Sequence, residues 1–124
     1  MTENHPEIYL YKRIIKAKFF IDTHFKDGID LSNIVDEAYF SRFHFIRSFK
    51  KIYGKTPQQY LIRVRIENAK ELLQKETSVT ETCFNVGFDN ISSFTGLFKR
   101  YTNICPSEYR LRFKKRTAQL QTSH

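Results

Sequence analysis

Apolar residues recur at three- and four-residue steps along most of the chain, the spacing of helices with one buried face. From Ile8 the run Ile14, Ala17, Ile21 and Phe25 marks one side of a first helix, with Lys12, Arg13, Lys16 and Lys18 around it and Gly28 as its stop. Asp30 then caps a short helix whose inward positions are Leu31, Ile34, Val35 and Ala38. After the turn Ala38-Tyr39-Phe40, Ser41 caps a third helix in which Phe45, Ile46, Phe49 and Ile52 alternate with Arg42, Arg47, Lys50 and Lys51. Gly54 stops it, and Thr56-Pro57-Gln58-Gln59 opens the next, with Thr as cap, Pro in the first turn and Gln three residues on. That fourth helix runs to about Lys75 through Tyr60, Leu61, Val64, Ile66, Ala69, Leu72 and Leu73, a length of roughly 28 Å at 1.5 Å per residue. Ser78-Val79-Thr80-Glu81 is a capping box for a fifth helix, with Val79, Cys83 and Val86 inward. Gly87 makes a turn over Phe88, a second basic helix spans about Ile91 to Tyr101, and Cys105-Pro106-Ser107-Glu108 starts a last helix carrying Tyr109, Leu111 and Phe113. Cys is a weaker cap there than the Thr of the earlier start.

The second half repeats the first. Phe45, Phe49, Lys50, Pro57 and Tyr60 reappear 49 positions later as Phe94, Phe98, Lys99, Pro106 and Tyr109. In each copy a short helix, a tight turn and a basic amphipathic helix form a candidate helix-turn-helix. Successive major grooves on one face of B-DNA lie roughly 34 Å apart, so a helix of the length expected for 57–75 suits two reading heads in consecutive grooves. The expected organisation is a flexible arm over 1–7, a first helix-turn-helix subdomain over 8–55, a linker helix over 56–76, a second subdomain over 77–116 and a flexible tail over 117–124.

Charge sharpens this picture. The 124 residues carry a formal net charge of +8, which favours a polyanionic partner. No apolar run approaches a bilayer span and none resembles a signal peptide, so a membrane is not the expected polyanion. With four Gly and three Pro, turns are few and helices favoured over many short strands. Cys83 and Cys105 form no CxxC pair and have no His at zinc-finger spacing, and read as two reduced thiols. His5, His24, His44 and His124 are scattered and suggest neither metal nor catalysis. There is no Gly-rich phosphate loop, no paired catalytic carboxylate and no ligand cluster, so the chain does not read as an enzyme and calls for no cofactor or metal.

The residues that carry this pattern are similar to the DNA-binding domain of the AraC/XylS family of bacterial transcription regulators. The likeness rests on Ser41, Phe45, Arg47, Phe49, Lys50, Gly54, Pro57, Tyr60, Leu61, Arg65, Ala69 and Leu72-Leu73, then Ser78-Val79-Thr80-Glu81, Gly87-Phe88, Ser92, Phe94, Phe98-Lys99, Pro106 and Ser107-Glu108-Tyr109-Arg110. It covers about residues 10–113. The resemblance implies an all-α, homeodomain-like fold of about seven helices in two helix-turn-helix subdomains joined by the long helix, binding adjacent major-groove segments as a monomer. It further implies a bacterial, cytoplasmic regulator held at the nucleoid through DNA, an activator that contacts RNA polymerase. Family members usually carry a sensor domain, for which this chain has no room, so it is similar to the small stand-alone members. Three positions depart from the pattern: Tyr39 replaces a turn Gly, Asn103 replaces the Gly stop before the last helix, and Gly96 replaces an Arg of the second recognition helix.

Carried onto these positions, the family pattern points Arg42, Phe43, Ile46 and Arg47 at base edges. Arg47 is the expected bidentate partner of a guanine, since its forked guanidinium matches O6 and N7. Phe43 and Ile46 offer only apolar contact to a thymine methyl or a sugar. Phe45 and Phe49 already claim the inward face, which turns Phe43 outward and leaves Ile46 open between core and groove. The second head offers Asn90, Ile91, Ser92, Ser93 and Thr95, a less charged set suited to phosphates and DNA shape. Ser41, Lys50, Lys51, Lys99 and Arg100 are the expected phosphate contacts, and Arg65 is open between DNA and a partner inside the protein. The leading expectation is therefore a sequence-specific regulator bound to double-stranded DNA. The alternative is a protein-interaction module with weak DNA readout that contacts RNA polymerase or another regulator. A steep fall of DNA affinity with salt distinguishes the first from the second.

Overall fold

The computed structural model describes residues 6–29, 31 and 42–122, and among them every regular element is a helix. The helices are α1 (Pro6–His24), α2 (Arg42–Tyr53), α3 (Pro57–Gln74), α4 (Val79–Asn85), α5 (Ile91–Thr102) and α6 (Pro106–Thr122). The all-α expectation holds. Leu31 is helical, while the remainder of the expected helix over 30–38, the turn with Tyr39, and Ser41 lie outside the described residues. The chain divides into two compact units, 1–25 with 29–62 and 26–28 with 63–124, so that α3 passes from one to the other between Ile62 and Arg63.

Each unit has its own core. In the first, Leu10, Ile14, Ala17 and Ile21 of α1, Phe25 just after it, and Phe45, Phe49 and Leu61 are buried. In the second, Ile66, Ala69, Leu73, Cys83, Val86, Phe88, Phe94 and Phe98 are buried. The inward positions expected for α1 are all buried, because a 3.6-residue period leaves Ile14, Ala17 and Ile21 one above another.

The sequence repeat becomes a repeat of geometry. The Phe49 ring meets Tyr60 edge-on at 6.0 Å, and Phe98 meets Tyr109 edge-on at 5.3 Å. The Gly54 N–H donates to the Lys50 carbonyl at 2.7 Å with φ +78°, and the Asn103 N–H donates to the Lys99 carbonyl at 2.7 Å with φ +69°. Asn103 thus does the work of the glycine it replaces, since a short polar side chain tolerates the left-handed region. At the start of α3 the capping box closes from both sides: the Gln59 N–H donates to Thr56 Oγ1 at 3.2 Å, and the Thr56 N–H donates to Gln59 Oε1 at 3.0 Å. Its counterpart Cys105 places Sγ 3.4 Å from Ser107 Oγ.

Three helix ends differ from expectation. With Pro at its first position, α1 begins at Pro6 rather than Ile8, inside the stretch expected as an arm. It ends at His24, four residues before Gly28, where the Thr23 hydroxyl donates to the Phe19 carbonyl at 2.9 Å and the His24 ring stacks on Phe20 at 4.5 Å. At the other terminus α6 continues to Thr122, into the stretch expected as a tail, because residues 114–122 contain Lys, Arg, Ala, Gln and Leu and no Gly or Pro. The end of α3 has a feature no residue type announced. Glu76 sits at φ +68°, with the Glu76 N–H on the Leu73 carbonyl and the Thr77 N–H on the Leu72 carbonyl, each at 3.1 Å. This is a Schellman cap built on a glutamate.

Candidate nucleic-acid interface

Burying Phe45 and Phe49 on one side of α2 turns the opposite side outward. Phe43, Arg47 and Lys50 stand at i, i+4 and i+7 and share that outer face, all three exposed, with Phe43 80% exposed. The expectation that Phe43 lies outside the core therefore holds. Arg42, at the helix start, is exposed as well, and Ile46 is half-buried at the edge of the core face. Lys51 belongs to a different side: together with His44 and Ser48 it lines a cavity between α2 and α1.

In α5 the same construction gives a different surface. Phe94 and Phe98 are buried, and Ser92, Gly96 and Lys99 occupy the positions of Phe43, Arg47 and Lys50. Ile91, Ser92, Ser93, Lys99 and Arg100 are exposed, and Thr95, like Ile46, is half-buried. Asn90 caps the helix, its side-chain oxygen accepting the Ser93 N–H at 3.0 Å, so that oxygen is already engaged. A methyl group built on Gly96 would meet nothing within 4 Å. The face is small, polar and open where that of α2 is long and basic. Between them the two helices carry twelve of the fourteen candidate contact residues, Asn90 standing at the cap of α5 and Ser41 lying outside the described residues.

Other residues brace the elements around α2 and α5. In the first unit, Tyr60 donates to Asp22, Lys18 Nζ lies 2.8 Å from the same carboxylate, and the ammonium sits 5.7 and 5.6 Å from the Tyr53 and Tyr60 ring centres. Hydrogen bonding to Asp22 and Tyr60 raises the Lys18 pKa above its usual value, and burial together with the bond to Asp22 raises that of Tyr60. This network ties α1 to the start of α3 and braces Tyr53, the last residue of α2. Only its Lys18–Asp22 part, an i,i+4 pair, is a local signal in the sequence.

In the second unit Arg65 is accounted for inside the protein. Its guanidinium lies 5.5 Å from the Phe88 ring centre and donates to the Asp27 carbonyl at 3.1 Å, and burial lowers its pKa. Arg110 donates through Nε and Nη2 to the Glu76 carbonyl at 3.2 and 2.8 Å, securing the cap of α3. The thiols also differ. Burial pushes the Cys83 thiol up, whereas the Ser107 hydroxyl and the Glu108 backbone N–H pull that of Cys105 down. Among the described residues no group of His, Cys, Asp and Glu is placed to hold a metal, and no helix is long and apolar enough to cross a membrane.

A fold of two helical units, each presenting a polar or basic helix on a paired-phenylalanine core, defines a tandem helix-turn-helix protein. A family profile described as "Helix-turn-helix domain" matches residues 34–112, and the chain belongs to the AraC/XylS helix-turn-helix family. An uncharacterized HTH-type transcriptional regulator in the cgkA 5′ region of Pseudoalteromonas carrageenovora is 35% identical over 97 residues, 78% of this chain and 58% of that protein. The HTH-type transcriptional activator RhaS of Escherichia coli O157:H7 is 34% identical over 92 residues, 73% of this chain and 33% of RhaS. This chain thus spans from a third to just over half the length of these relatives. Among solved structures, the DNA-binding domain of the global transcriptional factor AdpA, in complex with a target DNA, superimposes with a TM-score of 0.77 at 29% identity, covering 86% of this chain and 96% of that one.

Proposed function

We propose that this chain binds double-stranded DNA sequence-specifically and regulates transcription, with α2 as its principal reading helix. The observation that carries the reading is the exposed row Phe43, Arg47 and Lys50, held outward by the burial of Phe45 and Phe49. A row of this kind offers a forked donor for a guanine edge, an aromatic ring for a thymine methyl and a cation for the backbone. The α5 face of Ser92, Ser93 and Lys99 enters an adjacent groove segment, where it mainly fixes register. Arg42, Ile46, Ile91 and Thr95 complete the base-facing sets, and Ser41, Lys51 and Arg100 join Lys50 and Lys99 in contacting phosphates. The likeness to RhaS, named an HTH-type transcriptional activator, supports an activating role; RNA polymerase is the further partner that such a role calls for. A continuous α3 between two helical units supports binding as a monomer, and membership of a family of bacterial transcription regulators supports action in the cytoplasm.

The test is a comparison of wild type and Arg47→Ala, first by selection of bound sequences from a random DNA pool and then by gel shift. Arg47→Ala is expected to weaken specific binding by about 1–3 kcal/mol and to relax selectivity at one base position. Unchanged selectivity would remove Arg47 from the reading surface. A pool that yields no enriched sequence would overturn the reading as a whole.

A further inference from the structure

α1 carries two apolar faces. Leu10, Ile14, Ala17 and Ile21 fill the core, but Ile8, Tyr11, Ile15 and Phe19 form a second row at three- and four-residue steps, exposed by 51, 53, 45 and 69%. Scattered exposed apolar residues are ordinary, but four in register along three turns of one helix are not. At Tyr11 the row opens into a cavity of about 330 Å³ between α1 and α2, with Leu10, Ile14 and Ile52 among its lining and Ser48 and Lys51 at its α2 side. A floor of aliphatic side chains with a few polar groups beside it is what an anchoring side chain needs.

Charge identifies the occupant. Lys12 and Lys16 are exposed and flank the row on one side, Lys51 stands at the cavity, and among the described side chains of α1 the acid, Asp22, is engaged by Lys18 and Tyr60. A second copy of a chain of net charge +8 would set lysines against lysines. From Ile8 to Phe19 the row is roughly 17 Å long at 1.5 Å per residue, the reach of one three-turn helix. A seam of this size is small for the roughly 800 Å² that each partner of a stable dimer covers. We propose that the row Ile8, Tyr11, Ile15 and Phe19, with the cavity beside it, is a docking groove for an acidic amphipathic helix of another protein. An apolar side chain of that helix enters the cavity, its neighbours three and four residues on lie against Ile15 and Phe19, and its flanking Glu or Asp side chains meet Lys12, Lys16 and Lys51. Lys51 is shared with the proposed phosphate contacts, whereas Phe43, Arg47 and Lys50 line neither the row nor the cavity, so the apolar part of the groove stands independently of the base-reading residues.

The probe is a synthetic acidic helix-forming peptide with leucines at i, i+3, i+4 and i+7, set against a scrambled peptide of the same composition. Binding to the full chain without DNA is followed by fluorescence anisotropy, and self-association by sedimentation. The amphipathic peptide is expected to bind saturably and at least tenfold tighter than the scrambled one. Ile15→Asp with Phe19→Asp should weaken binding at least tenfold, as should Lys12→Glu with Lys16→Glu, with the helical circular dichroism of the chain retained in each. Absent or equal binding of the two peptides would overturn the proposal. So would a concentration-dependent dimer that Ile15→Asp with Phe19→Asp abolishes, which would assign the row to a second copy.

Discussion

At the position of α5 that corresponds to Arg47 in α2, Gly96 leaves open space on an exposed helix surface. A glycine in a helix interior costs about 1 kcal/mol relative to alanine because it gives up more backbone freedom on folding. Since a Cβ there meets nothing, Gly96→Ala is expected to stabilise the second unit by about 1 kcal/mol, read as a shift of the urea midpoint at unchanged slope. Gly96→Arg fits the same space and restores a donor, so it should strengthen DNA binding as well; an unchanged gel-shift affinity would show that α5 keeps its backbone away from bases. The less basic outer face of α5 was legible in the sequence because it depends on a residue type at a repeat position. The exposure of Phe43 was legible for a related reason: two phenylalanines at i, i+4 already define the inward side of α2. Glu76 and Arg65 were not. A left-handed glutamate carries no compositional mark, and the partners of Arg65, Asp27 and Phe88, lie 38 and 23 positions away along the chain, where no local periodicity reaches.

Among the elements, starts and stops follow sequence most closely where a side chain or a left-handed residue closes them. The Thr56–Gln59 box, the Ser78 cap and the Gly54 stop all stand where their residue types place them. The misjudged ends, of α1 and α6, are those where a punctuating residue was expected to act or was lacking. Gly28 follows a helix already ended by the Thr23 and His24 side chains, and nothing after Pro106 interrupts α6. The two starts that open with proline form a natural comparison. Thr56 closes its box with oxygen, whereas Cys105 engages only through sulfur, the weaker acceptor. Cys105→Thr is therefore expected to raise stability by about 0.5–1 kcal/mol, with a matching rise in thermal midpoint. The same variant removes the low-pKa thiol, so its reaction with a maleimide near neutral pH should fall at the same time. A variant no more stable than wild type would mean that the sulfur already satisfies the first turn.

For the whole molecule, two separate cores mean that alkaline pH acts on each unit through different groups. In the second unit burial raises the Cys83 pKa above its unfolded value near 9.0. In the first, Tyr60 and Lys18 are raised above 10.0 and 10.5, Tyr60 chiefly by burial and Lys18 chiefly by its bond to Asp22. A raised pKa means that the folded state holds its proton more tightly than the unfolded state. The associated stability is complete below the unfolded pKa and is lost as pH rises through the folded one. Stability should accordingly begin to fall above pH 9 through Cys83 and fall further above pH 10 through Tyr60 and Lys18. Urea unfolding at stepped pH checks this: Cys83→Ala should flatten the earlier part of the decline and Tyr60→Phe the later part. An unaltered profile in both would place the alkaline loss in other groups.

The outward position of Phe43 has a practical consequence in spectroscopy. The chain contains seven tyrosines and no tryptophan, so it emits without any indole background. A side chain 80% exposed on α2 has room to grow without disturbing the core. Phe43→Trp would thus place a single indole in the proposed interface, folded as before, with emission near that of a fully hydrated fluorophore. Specific duplex should shift that emission to the blue and quench it as the ring leaves water, while Phe19→Trp, on α1, should report the acidic peptide and stay silent to DNA.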